Sequence, residues 1–370
     1  MASGMQHSSA QAESLCQQNH QSYLCLSHQT GNGVESLAML QRIFGALIFV
    51  SSLLIAWAWM EYQQFQEMPL NLPADGLLYQ LDQGDTVRQL AVDLKQLGVI
   101  DQPLLLRLLA RQSGLASRLK AGEYRIPAGT TPIELLELLV AGKVTHYSLT
   151  LVEGWTFKQM MAAIDRDPVL LHTLRGATDV QIMQQIGHAN EHPEGRFFPD
   201  TYHFPKGTSD LDLLRRAYAR MRETLEQAWQ QRQPELPLKS PYEALILASI
   251  VERETGLPEE RPQIAGVFIR RLQKRMRLQT DPTVIYGMGE RYDGNIRRRD
   301  LKQDTPYNTY VHAGLTPTPI AMPGAAAIEA VLHPAEGDAL YFVATGNGGH
   351  KFSATLEAHN QAVRKYQLKR

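Results

Sequence analysis

Apolar residues recur along this chain in three patterns. The first is an unbroken block, Ile43–Met60, eighteen residues without a charged side chain. At a rise of ~1.5 Å per residue such a block just spans a hydrocarbon core of ~30 Å, which predicts a membrane-crossing helix. Trp57, Trp59 and Tyr62 at its end suit an aromatic belt. The second pattern is helical spacing: Val87, Leu90, Ala91 and Leu94 share one face after Gly84-Asp85-Thr86. Further helices are expected over Pro103–Gln112 and from Thr131-Pro132 through Leu139. The third is short alternation, which predicts strands at Leu77–Leu81, Ala121–Ile126 and residues 146–152.

Beyond Val144 the pattern predicts helices starting near Phe157, around Pro168–Arg175 and over Asp179–Ile186. The aromatic-dense run Glu194–Phe204 ends as a strand, and Ser209 caps a long amphipathic helix to about Gln231. A basic amphipathic helix carries Ile264, Val267, Phe268 and Leu272 on one face. A hairpin follows, with strand Leu340–Ala344, turn Gly346–Gly349 and return Lys351-Phe352, and a helix from about Thr355 closes the chain. The fold class is α+β. Residues 1–42 form a tail, 43–60 a transmembrane helix, 61–75 a linker, 76–143 a small module and 144–370 a larger mixed domain.

One helix carries an anomaly. Ala244–Val251 is almost wholly apolar and is framed by Ser240 as N-cap, Pro241 at the first position and Glu243 completing a capping box. Gly256 reads as its stop, with Pro258 beyond. A helix apolar on all sides is buried, so Glu252 is expected in the last turn of a buried helix, at the negative end of its dipole. Burial and dipole both favour the protonated carboxyl, as a general acid requires. The bland alternative is that Glu252, Arg253 and Glu254 are the polar fringe where a core helix meets water.

Composition narrows the classes. A formal net charge of −1 gives no global attraction to nucleic acid. Arg42 before the span favours a cytoplasmic N-terminus and an exported remainder, in the inner membrane of a cell with a periplasm. Cys16 and Cys25 both precede the span, so the exported part needs no disulfide. Ala56-Trp57-Ala58 also fits a signal-peptide cleavage site, with Met39 as an alternative start. The first 38 residues are rich in Gln, Ser and His and read as disordered. The histidines lack zinc spacing, no Gly-x-Ser-x-Gly elbow is present, and the glycines after residue 345 read as a hairpin turn rather than a phosphate loop. Neither metal nor cofactor is expected.

Aromatic and acidic residues in loops are the vocabulary of carbohydrate sites: sugar C–H faces lie on rings, and carboxylates take hydroxyls. Phe197, Phe198 and Tyr202 neighbour Glu194 and Asp200. Gln279 precedes Asp281, read as an N-cap with Pro282 at the first helical position, and Asn308 and Tyr310 sit in a loop before the proline-rich Gly314–Gly324. Each also has a structural reading, as cap, core or rigid turn. The basic run Arg270, Arg271, Lys274, Arg275 and Arg277 reads as a solvated helix face.

Two resemblances emerge from these segments. Strand, helix, helix, strand over residues 76–143, with its Gly-Asp-Thr step, resembles a LysM-type module, a family that binds N-acetylglucosamine-containing glycans; a generic small α/β unit fits the same pattern. Ser249–Thr255, Leu278–Gly287, Tyr307–Tyr310 and Gly348–Phe352 together resemble the endolytic murein (peptidoglycan) transglycosylases, the MltG or YceG-like family, over roughly Gly76 to the C-terminus. The resemblance implies a lytic transglycosylase that cleaves the β-1,4 bond between N-acetylmuramic acid and N-acetylglucosamine, leaves a 1,6-anhydro end and terminates nascent glycan strands. It implies Glu252 as the acid/base, with Gln279, Asp281, Asn308 and Tyr310 as ligand-binding residues. Glu194, Asp200, Phe198 and Glu254 remain candidate helpers. Peptidoglycan strands, the inner membrane, peptidoglycan synthases and the elongation or division machinery are the implied partners. A muramidase-type hydrolase and a non-catalytic glycan-binding scaffold are the alternatives.

Overall fold

The structure, a computed structural model, describes Leu37 and residues 39–368. The expected disordered tail therefore lies almost wholly outside the described residues. The chain is a mixed α+β protein that divides between Val144 and Thr145 into two compact units.

The first unit begins with α1, Met39–Glu67, the one helix among the described residues long and apolar enough to cross a membrane. It outruns the expected span by a full turn and more. Glu61–Glu67 continues it because these residues are good helix formers, and Tyr62 and Phe65 gain apolar cover. Tyr62 is thus a core residue, 5% exposed and donating to the Gln112 side chain at 2.5 Å, rather than part of an aromatic belt. Nor is 61–75 a loose linker. After α1 stops before Pro69, Leu70 is buried and its N–H donates to Thr130 at 2.8 Å.

The small module then runs β1 (Leu77–Leu81), α2 (Val87–Gln96), α3 (Pro103–Gln112), β2 (Gly122–Ile126) and α4 (Pro132–Ala141). The strands pair antiparallel with Tyr79 opposite Tyr124. Thr86 caps α2 and Thr131 forms a complete capping box with Glu134, contacts worth about 1 kcal/mol each. Leu90, Leu94, Leu106, Leu135 and Leu139 are fully enclosed between them.

The second unit holds β3 (His146–Thr150), α5 (Phe157–Arg166), α6 (Asp179–Ile186), β4 (Thr201–Pro205), α7 (Asp210–Gln230), α8 (Pro241–Glu254), α9 (Arg261–Gln273), α10 (Asp281–Met288), α11 (Ala325–Leu332), β5 (Tyr341–Ala344), β6 (His350–Ser353) and α12 (Leu356–Tyr366). Its strands form two antiparallel pairs, with Leu149 opposite Tyr202 and Phe342 opposite Phe352. The α8 helix is the hub, packed by α7, α9, α10 and α11, with Ala244–Val251 all buried.

Several expectations give way here. Pro168–Arg175 is irregular, because the buried Asp210 carboxylate accepts the Thr173 and Leu174 N–H groups at 3.0 Å and Asp167 takes those of Val169 and Leu170. The α8 capping box is half made: Ser240 accepts from Glu243 N–H, but the Glu243 carboxylate takes Lys239 N–H at 2.7 Å. Gly256 is not a left-handed stop; α8 ends because Thr255 turns extended, at φ −144°. Arg270 and Arg271 are not solvated. Arg271 is 7% exposed and donates to the carbonyls of Leu340, Arg277 and Leu278, while Arg270 donates to Ala339 and Ala335. These two residues pin α9 to the strand β5 side.

Candidate active site

A groove of about 490 Å³ opens in the second unit between the C-terminal end of α8, the segment leading into α10, the β5 strand and α12. Of the two carboxyl groups at the end of α8, the one lining it is that of Glu254, not of Glu252. Two residues apart on a helix means roughly 200° of rotation, so the two side chains leave α8 in different directions.

Glu252 is tied off. Its Oε2 accepts the Gly324 N–H at 3.0 Å and its Oε1 accepts Arg261 Nη2 at 3.4 Å, with the Glu252 side chain only 6% exposed. Burial raises its proton affinity, while Gly324 and Arg261 pull the other way and Glu153 adds to the rise. Both oxygens are occupied by donors that stabilise the anion. Glu252 therefore closes α8 onto the Gly324 loop and onto α9, and it does not line the groove.

Glu254 accepts a hydrogen bond from the Thr280 hydroxyl. Burial pushes its carboxyl up to about 7, opposed by Thr280 and reinforced by the Asp281 charge. The donor is supplied by a local compromise in α10. Thr280, not Asp281, occupies the N-cap position, and its hydroxyl makes no capping bond because it is spent on Glu254. Asp281 sits one place on and its carboxylate accepts the Tyr310 hydroxyl at 2.7 Å. Burial, then Asp281, drives the Tyr310 phenol upward, so it stays a donor at all ordinary pH.

Gln279 reaches this position through a left-handed backbone, φ +51°, with its N–H on the Thr309 carbonyl at 3.2 Å and its side-chain oxygen near Arg271 at 3.4 Å. Asn308 is 1% exposed; its amide donates to the carbonyls of Asp300 and Gln303, and its oxygen accepts Tyr310 N–H at 3.0 Å. It has no polar atom left for a ligand, and it holds Tyr310 in place instead. His350 also lines the groove, where its N–H and Nδ1 meet the Glu260 carboxylate, each at 2.7 Å.

The sequence profile of the YceG-like family matches residues 79–365. A Bacillus subtilis protein called endolytic murein transglycosylase is 31% identical over 342 residues, covering 88% of this chain and 91% of its own. The chain belongs to the YceG-like family. A Streptococcus pneumoniae protein of the same description is 27% identical over 369 residues, and the matched region spans 64% of that longer chain. A yceG-like protein of Listeria monocytogenes, known from a crystal structure, is 29% identical with a TM-score of 0.49, covering 78% of this chain and 99% of the other.

In this YceG-like chain three further sequence candidates, besides Glu252 and Asn308, lie outside the groove lining. Glu194 is 3% exposed, accepts Phe157 N–H at 2.9 Å and Tyr286 hydroxyl at 3.0 Å, and is pushed up to about 7 by burial. It ties the start of α5 to α10. Asp200 pairs with Arg220 at 2.9 Å and accepts Thr201 N–H at the head of β4. Phe198 is a core residue whose ring lies 5.1 Å from the Arg220 guanidinium carbon. The groove thus gathers Gln279, Asp281, Tyr310 and the candidate helper Glu254 from the expected set and adds Thr280, Arg271 and His350. One sequence signal for Glu254 exists: positions 247, 250 and 251, which share its helical face, are all apolar.

Proposed function

We propose that this chain is an endolytic murein transglycosylase in which Glu254 serves as both acid and base. It cleaves the β-1,4 bond between N-acetylmuramic acid and N-acetylglucosamine in nascent peptidoglycan and leaves 1,6-anhydro ends. The observation that carries the residue assignment is the Glu254 carboxyl in the groove, held by Thr280 beside Gln279, Asp281 and Tyr310.

The chemistry follows from that geometry. Protonated Glu254 gives its proton to the glycosidic oxygen as the bond to C1 breaks and positive charge spreads over C1 and the ring oxygen. The anion left on Glu254, stabilised by the Thr280 hydroxyl, then takes the proton of the muramoyl C6 hydroxyl, whose oxygen closes onto C1. Glu254 ends as it began, and no water is consumed. Asp281, oriented by Tyr310, places a negative charge near the developing cation. A hydrolase would instead use a second carboxylate as nucleophile or to activate water.

Membrane tethering by α1, with the N-terminus cytoplasmic and both units outside, would keep the groove where new strands emerge from synthases. On the same reading the βααβ module is a LysM-like glycan holder, and peptidoglycan synthases and the elongation or division machinery are partners. Mass spectrometry of products from uncrosslinked glycan tests the reaction. Fragments one water lighter than their hydrolytic counterparts are expected, and exclusively reducing ends would make the protein a muramidase.

A further inference from the structure

The first unit carries an apolar and basic surface that neither its own core nor the proposed chemistry uses. On α3, Leu106, Leu109 and Ala110 are buried, yet Leu104 is 70% and Leu108 51% exposed. With Arg107 and Arg111, also exposed, they form an i, i+3, i+4, i+7 stripe on the outer face. Arg88 of α2 joins them around a shallow groove of about 350 Å³. A doubly amphipathic helix of this kind has one apolar face for its core and another with no protein partner.

The placement of α3 says what that partner is. Gln102, at its N-terminal end, donates to Glu61 at 2.7 Å, and Gln112, at its other end, accepts from Tyr62 at 2.5 Å. Both ends of a helix ~15 Å long are therefore pinned to adjacent residues of α1, so α3 runs across α1 rather than along it. Those residues directly follow Met60, and described residues of α1 up to Met60 are all exposed. In the first unit α3 is accordingly the layer next to the apolar span. Carboxylates around this face are Glu61, engaged with Gln102, Asp101 at the far end from Arg111, and Asp85, which lies beside Thr86 and accepts the Asp82 N–H.

We propose that the outer face of α3 docks onto the bilayer surface, with Leu104 and Leu108 entering the acyl boundary and Arg107, Arg111 and Arg88 meeting anionic headgroup phosphates. This rests on α1 being a membrane anchor. Leucines flanked by long basic side chains are the composition of helices lying in the interface plane. Docking would fix the height of the first unit above the membrane instead of leaving it to swing on α1.

The test uses the full chain, with Cys16 and Cys25 changed to Ser, in vesicles of phosphatidylglycerol and phosphatidylcholine. A polarity-sensitive fluorophore is attached at Leu104→Cys or, separately, at Ser52→Cys within the span, and quenched with headgroup or acyl-chain spin labels. Position 52 should be quenched by the deep label. Position 104 should emit blue-shifted and be quenched by the shallow label, and Arg107→Glu with Arg111→Glu should cut that docking by on the order of tenfold. Quenching at 52 with a water-like spectrum at 104 overturns the docking and spares the anchor. No quenching at either position overturns both.

Discussion

The Thr280 hydroxyl donates to the Glu254 carboxyl, although Thr280 occupies the N-cap of α10, where a hydroxyl ordinarily serves its own helix. That diversion joins the end of a buried helix to the wall of a groove. It lowers the proton affinity that burial raises, which leaves Glu254 near 7.

The pH profile should register this bond. On the proposed mechanism Glu254 starts the reaction protonated, so activity should fall as pH rises through its pKa. Thr280→Val removes the donor that stabilises the anion, so the alkaline limb of kcat/KM should move to higher pH. A profile unchanged in the variant would detach Thr280 from the catalytic proton.

Glu194 makes a prediction about stability. Its folded-state pKa of about 7 lies above its ordinary 4.5, so the folded protein binds the extra proton and stability falls as pH rises from 4.5 to 7. The full difference corresponds to roughly 3 kcal/mol. Glu194→Gln, neutral and of the same shape, should melt higher than the parent at pH 8 and close to it at pH 5. Equal offsets at both values would contradict the assignment.

Arg271 should behave as a buried staple. It satisfies three carbonyls, and Arg271→Ala leaves them without a donor in the interior, at a cost of about 3 kcal/mol or more. Arg271→Lys should rescue little, since a single ammonium cannot reproduce the fork. Urea unfolding of the three proteins decides this, and a loss below about 0.5 kcal/mol would return Arg271 to the surface.

Much of this architecture is legible in one dimension, and the failures are instructive. Local signals sufficed for α2, α6 and α7, where capping residues and a single apolar face agree. They failed at Pro168–Arg175, because Asp210 reaches back across the chain to claim the N–H groups a helix would need. They also failed for Arg270 and Arg271, whose charge looked solvated although partners near residues 335–340 bury it. For the acid/base the sequence reading names Glu252, whereas the α8 carboxyl lining the groove is that of Glu254. Sequence spacing shows two carboxylates at the end of a buried helix, but not that Arg261 and the Gly324 N–H occupy Glu252 from one side while Thr280 meets Glu254 from the other.

Asn308 illustrates the same limit. Its neighbours mark a cleft loop, and its type suits a sugar hydroxyl, yet its amide is spent on the carbonyls of Asp300 and Gln303. Asn308→Ala should therefore lower thermal stability, by about 1–3 kcal/mol for the buried acceptors it abandons. Glycan affinity measured on folded protein should change little by comparison. A large loss of affinity with unaltered melting would restore Asn308 as a ligand residue.

The assignment of the acid/base is tested most directly by comparing Glu254→Gln and Glu252→Gln in the release of 1,6-anhydro products, each rate expressed per folded molecule. Glu254→Gln should melt near the parent temperature and lose about 10²-fold or more in rate. Glu252→Gln should weaken the pairing with Arg261, melt lower and still cleave. A fast Glu254→Gln beside a folded but inactive Glu252→Gln would contradict the account.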